Sequence, residues 1–72
     1  MKLKGGNVEL GNRLKEWRAK KDITQEELAI RINMSRQSIN AIERGRFVPS
    51  ILTALKMANF FETKIENLFY IK

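Results

Sequence analysis

The chain has no cysteine and no histidine. Without cysteine there is no disulfide staple, thiol nucleophile or thiolate metal site, which fits a reducing compartment. Without histidine the commonest general base and metal ligand is missing. No pair of carboxylates is placed for acid–base work either, so the expectation is a protein that is not an enzyme and needs no metal and no cofactor. Long apolar runs are also lacking. The richest stretch, residues 51–61, is too short to span a bilayer and is broken by Lys56 and Asn59. The opening MKLKGGNVELGN is polar and does not read as a secretion signal. These absences point to a cytoplasmic protein with no membrane partner.

What is abundant is positive charge, and it is unevenly placed. The 72 residues carry a net charge of +6 with a pI of about 10.1. Residues 1–46 hold eleven Lys/Arg against six Asp/Glu, and residues 47–72 only three against two. Such asymmetry suits a polyanionic partner for the first half. The length allows one domain with a marginal core, for which compact helices or oligomerisation would help, and leaves no room for a large catalytic cavity.

Residues 24–45, TQEELAIRINMSRQSINAIERG, organise the rest. They read as two short helices and a tight turn. Thr24 is a good N-cap, and Glu27 three residues later completes a capping box. Ile23 can staple to Leu28, Leu28 and Ile32 face inward, and Ala29 is small enough for a close helix crossing. Asn33 tolerates the left-handed conformation that a turn needs. Met34 plugs the core beneath the turn, and Ser35 caps the second helix, residues 35–44. At 100° per residue, Ser35, Ile39, Ile42 and Glu43 share one side of that helix. Asn40, Arg44, Gln37 and Ala41 share the other, with Arg36 at its edge. Arg, Gln and Asn have the forked donors and acceptors that read base edges in the major groove.

Around this unit, residues 1–7 contain Gly5-Gly6 and read as a flexible arm, with MKLK as an alternative short strand. The spacing of Leu10, Leu14 and Trp17 predicts a helix from about residue 10 to residue 21, capped by Asn7 or Asn12 and ended by a left-handed Asp22. Trp17 is expected in the core, and Lys20 and Lys21 serve as helix-end charges. Gly45 ends the second helix of the pair, and Ser50 caps a fourth helix over residues 51–61. The inner stripe of that helix is expected to be Ile51, Ala54, Leu55, Ala58 and Phe61. Because Leu52, Met57 and Phe60 are apolar too, it needs further cover. Thr63 and Glu66 propose another capping box, opening a fifth helix to about residue 68. The end, LFYI, has strand-like composition and is too apolar for a solvated tail.

In order and at the right spacings, NRLKEWRAKKD, ITQEELA, MSRQSINAIERG, RFVPS, ILTALKMANFF and KIENLF resemble the small phage-repressor-like regulators of the Cro/C1 or xenobiotic-response-element type. The resemblance covers residues 10–69. It implies an all-α, compact five-helix bundle with a helix-turn-helix and, as in some of the smallest members, a short two-stranded ribbon from the chain ends. On that reading residues 1–9 are an arm or strand, 10–69 the DNA-binding domain and 70–72 a tail or strand. The implied partners are double-stranded DNA and a second copy of the chain, and the implied place is the nucleoid. Arg36, Gln37, Asn40 and Ala41 match the positions that usually reach base edges. Gln25, Ser35, Arg44, Arg46 and Lys15 are the matching backbone-contact candidates, and Arg18 with Glu43 is the matching structural ion pair. Leu52, Phe60, Phe69, Tyr70 and Ile71 are candidate dimer contacts. Relatives commonly have Gly where this chain has Asp22, Asn33 and Glu62, and the last of these predicts a different exit from the fourth helix.

The implied function is a sequence-specific regulator, a repressor acting as a homodimer on a pseudo-palindromic operator. The alternative is a protein-binding adaptor or antitoxin-like module that docks an unknown partner through the apolar fourth helix and C-terminal segment.

Overall fold

The computed structural model describes residues 9–72, so the arm, the MKLK strand and the Asn7 cap lie outside the described residues. The described residues contain four α-helices: α1 (Leu14–Lys21), α2 (Gln25–Ile32), α3 (Arg36–Glu43) and α4 (Ile51–Phe60). Two three-residue strands, β1 (Leu10–Asn12) and β2 (Phe69–Ile71), pair antiparallel with Gly11 opposite Tyr70.

Helix boundaries follow local chemistry. Thr24 Oγ1 accepts from the Glu27 amide at 3.0 Å while Glu27 Oε1 accepts from the Thr24 amide at 2.9 Å, closing the capping box. Ser35 and Ser50 each accept from the amide three residues on, at 3.1 Å. All four helices end the same way, with a left-handed residue and two reversed hydrogen bonds onto the last turn. In α3, Gly45 N–H donates to Ile42 O and Arg46 N–H to Ala41 O. The left-handed residues are Asp22, Asn33, Gly45 and Glu62, with φ of 56°, 59°, 75° and 54°. Glu62 thus takes the conformation a glycine would supply, and the exit from α4 matches the other three rather than differing from them.

Three further expectations are corrected. The first helix begins at Leu14, because residues 10–12 are drawn into the ribbon. The Asn12 side chain still serves the helix start, its Oδ1 accepting from the Leu14 amide at 3.1 Å. The ribbon's N-terminal strand is therefore Leu10–Asn12. The fifth helix is a single 3-10 turn, Ile65–Asn67, entered without a side-chain cap. Thr63 instead accepts from Asn67 Nδ2 at 2.9 Å. The ribbon, pulling the chain straight from Phe69, leaves no length for an α-helix there.

The third correction concerns α4. Its buried residues are Ala54, Met57 and Ala58, joined by Phe61, whereas Ile51 and Leu55 stay 71% and 50% exposed. The core forms where α4 meets α2 and where Leu14, Leu28, Ile39, Met57 and Leu68 are fully enclosed. Each such side chain contributes about 1.5 to 3 kcal/mol by leaving water. Trp17 is half-buried against this core, with its indole N–H donating to Asn67 O at 3.1 Å. Lys20 and Lys21 lie over the rings of Trp17 and Phe60, at 4.4 and 5.2 Å from the centroids.

Candidate nucleic-acid interface

The pair α2–α3 is held by the left-handed Asn33, by the Met34 amide donating to Ala29 O at 2.8 Å, and by the apolar contact of Leu28, Ala29 and Ile32 with Ile39 and Ile42. With Ile39 and Ile42 buried, the opposite face of α3 turns outward. Arg36 and Gln37 are exposed in its first turn, next to the Ser35 cap, and Arg44 and Arg46 are exposed at and beyond its end. Asn40 and Ala41 sit half-buried between them. Lys15 is exposed on α1, about 60° around that helix from Arg18.

A polar network ties this face to the rest. Glu43 accepts from Arg18, Nε to Oε2 and Nη2 to Oε1, the latter at 3.0 Å, while Arg18 Nη1 donates to Ile23 O at 3.0 Å. Both side chains are nearly buried, at 13% and 7% exposure. The hydrogen bond to Glu43 raises the Arg18 guanidinium above its ordinary value against the opposing pull of burial. Glu43 Oε1 also accepts from Gln25 Nε2 at 3.2 Å, and Gln25 Oε1 accepts from Asn40 Nδ2 at 3.3 Å. The links from Glu43 to Gln25 and on to Asn40 could not be read from the sequence. Periodicity places Asn40 on the outward side of α3, and only the packing of α2 beside it makes it half-buried.

The far end of α3 is anchored by the ribbon. Asn12 Nδ2 donates to Ile42 O at 3.0 Å and to Glu43 O at 3.4 Å.

A sequence model of the helix-turn-helix family matches residues 14–68. The chain belongs to the Cro/C1-type helix-turn-helix transcriptional regulators. It is 50% identical over 58 residues to an uncharacterized HTH-type transcriptional regulator of Methanocaldococcus jannaschii, covering 81% of this chain and 88% of that one. It is 41% identical to the uncharacterized HTH-type regulator YgzD of Bacillus subtilis, over 85% of this chain and 92% of the relative. Among solved structures it resembles the restriction-modification controller protein C.AhdI of Aeromonas hydrophila, with a TM-score of 0.69, 30% identity and coverage of 75% and 78%. A Bacteroides fragilis protein with a TM-score of 0.76 and 24% identity, covering 85% of this chain and 98% of that one, supports the fold alone. The family is one of DNA-binding regulators of transcription and not an enzyme class.

The dimer candidates separate. Leu52, Tyr70 and Ile71 are 61%, 38% and 52% exposed, but Phe69 belongs to the core and Phe60 packs edge-on to Phe61 at 5.0 Å. Phe47, Val48, Ile51 and Leu55 are exposed apolar residues that the sequence reading did not nominate. The nearly uniform apolarity of α4 was the signal for the two that lie on the helix. No helix among the described residues is long and apolar enough to cross a membrane.

Proposed function

We propose that this regulator is a homodimeric repressor that seats α3 in the major groove of each half of a two-fold operator. The observation that carries the reading is the outward face of α3, where Arg36 and Gln37 stand exposed on a capped helix whose opposite face is locked into the core. Those side chains suit base edges, with Asn40 and Ala41 behind them. Gln25, Ser35, Arg44, Arg46 and Lys15 are the groups for phosphates, which fix register without reading sequence. Occupancy of a promoter in this way suffices for repression, whereas activation needs a further contact.

Dimerisation is assigned to the apolar surface of α4, Ile51, Leu52 and Leu55, with Phe47 and Val48 in the loop before it. Large apolar side chains concentrated on one short segment and its helix are the mark of an association surface. A second copy is the occupant favoured here, because helix-turn-helix dimers match two half-sites about one helical turn apart. Tyr70 and Ile71 extend the exposed apolar set from the ribbon.

The test is selection from a random duplex library at near-physiological salt, since at low salt any protein of this charge holds phosphates. Enrichment of a two-fold-related motif is expected. A folded monomer that enriches nothing would transfer the apolar α4 surface to the adaptor reading, with a different protein as its occupant.

A further inference from the structure

Glu43 does more than neutralise Arg18. An ionised carboxylate only accepts hydrogen bonds, while a carboxamide has one donating end and one accepting end. The end of Gln25 that faces Glu43 must therefore be its NH2, as observed at 3.2 Å. That choice turns Gln25 Oε1 toward α3, and an oxygen there demands the NH2 of Asn40, found at 3.3 Å. With the amide of Asn40 reversed, two carbonyl oxygens would face each other. Among the described residues no hydrogen bond uses Asn40 Oδ1, which is left together with the second Nδ2 hydrogen for a ligand.

We propose that Glu43 is a positioning residue for base readout: through Gln25 it fixes which way round the Asn40 amide stands, and so which base that amide selects. The proposal rests on the reading of α3 as the base-reading helix. An Asn side chain recognises adenine with its oxygen and NH2 together. An amide free to reverse blurs that match, because exchanging its two ends exchanges donor for acceptor. Arg18 completes the relay by holding the Glu43 carboxylate with two hydrogen bonds.

The experiment measures relative affinity for the selected duplex and its single-base variants, using the full chain and three substitutions. Asn40→Ala locates the base pair that Asn40 reads, as the one whose preference collapses from about tenfold toward none. Glu43→Gln and Gln25→Met should flatten the preference at that same base pair to under about threefold. Both should leave the preferences set by Arg36 and Gln37 intact. Ratios between duplexes cancel any uniform loss, including loss of a phosphate contact by Gln25. Gln25→Met also leaves the ion pair in place, so the proposal stays testable if Glu43→Gln folds poorly. A merely structural role for Glu43 would lower every duplex in parallel, and that result, or an undisturbed adenine preference in both variants, overturns the proposal. If Asn40→Ala flattens no base pair, the reading of Asn40 as a base contact fails first, and the relay fails with it.

Discussion

The side-chain amide of Asn12 donates to the carbonyl oxygen of Ile42 at 3.0 Å, across thirty residues of sequence, and so ties the ribbon to the last turn of α3. Carbonyls at a helix C-terminus have no partner within the helix and must find one elsewhere. Ile42 O already accepts from the Gly45 amide at 3.0 Å, so Asn12 fills its second lone pair and reaches Glu43 O at 3.4 Å, from a strand in which Gly11 lies so close beneath the Tyr70 ring that a Cβ would collide with it. The Arg13 guanidinium covers the same ring at 4.4 Å from its centroid.

Asn12→Ala is therefore expected to cost about 1 to 2 kcal/mol of folding stability, from the loss of a partly buried bond at each end of the side chain. Chemical denaturation measures it, and hydrogen exchange should quicken in the last turn of α3 more than in α2. Equal protection of both helices in the variant would show that Asn12 does not anchor α3.

The ion pair of Arg18 with Glu43 should behave as a buried one. Arg18→Ala strands the carboxylate and is expected to cost about 3 to 5 kcal/mol, whereas replacing both residues with apolar side chains of similar volume recovers most of that loss. The folded-state pKa of Arg18 lies above its unfolded value, so its contribution is fully present below the unfolded pKa and is lost only as pH rises through the folded one. Denaturation curves at neutral and moderately alkaline pH should show a constant wild-type advantage over Arg18→Ala. An advantage that decays as pH approaches 10 would contradict this account.

Arg36→Ala or Gln37→Ala should cost about 1 to 3 kcal/mol on the preferred duplex and relax base preference. Arg46→Ala should weaken every duplex alike and flatten the salt dependence by about one unit. Titrations on selected and random duplexes at several salt concentrations distinguish the two behaviours. Identical losses on both duplexes from all three variants would remove the division between readers and anchors.

Leu52→Glu, placed in the middle of the exposed α4 surface, should leave the fold intact and convert the proposed dimer to a monomer in analytical ultracentrifugation. Affinity for a two-half-site duplex should then fall to that for a single half-site. A variant that still sediments as a dimer would move the interface to Tyr70 and Ile71 or away from both.

Much of the helix-turn-helix was legible in residues 24–45 because its signals are local. The Thr24 capping box, the left-handed Asn33 and the Ser35 cap each act over four residues or fewer. Periodicity then told the inner face of α3, Ile39 and Ile42, from the outer face with Arg36 and Gln37. Periodicity failed on α4, whose apolar residues surround the helix and leave no polar side to orient it. Only packing against α2 decided that Met57 goes in while Ile51 and Leu55 stay out.

By itself the sequence determined the caps that bound α2 and α3 and that open α4, which pair forms the helix-turn-helix, and which kind of partner its charge favours, since caps, turns and charge are properties of near neighbours. The tertiary structure alone decided that the strand-like C-terminal end pairs with Leu10–Asn12, that the fifth helix is lost, and that the Arg18–Glu43 pair extends through Gln25 to Asn40. Leu10–Asn12 meets Phe69–Ile71 only after the bundle has brought the chain ends together, and three residues carry no strand period of their own. The relay likewise joins three helices, and its donor and acceptor ends are settled only once α1, α2 and α3 are packed.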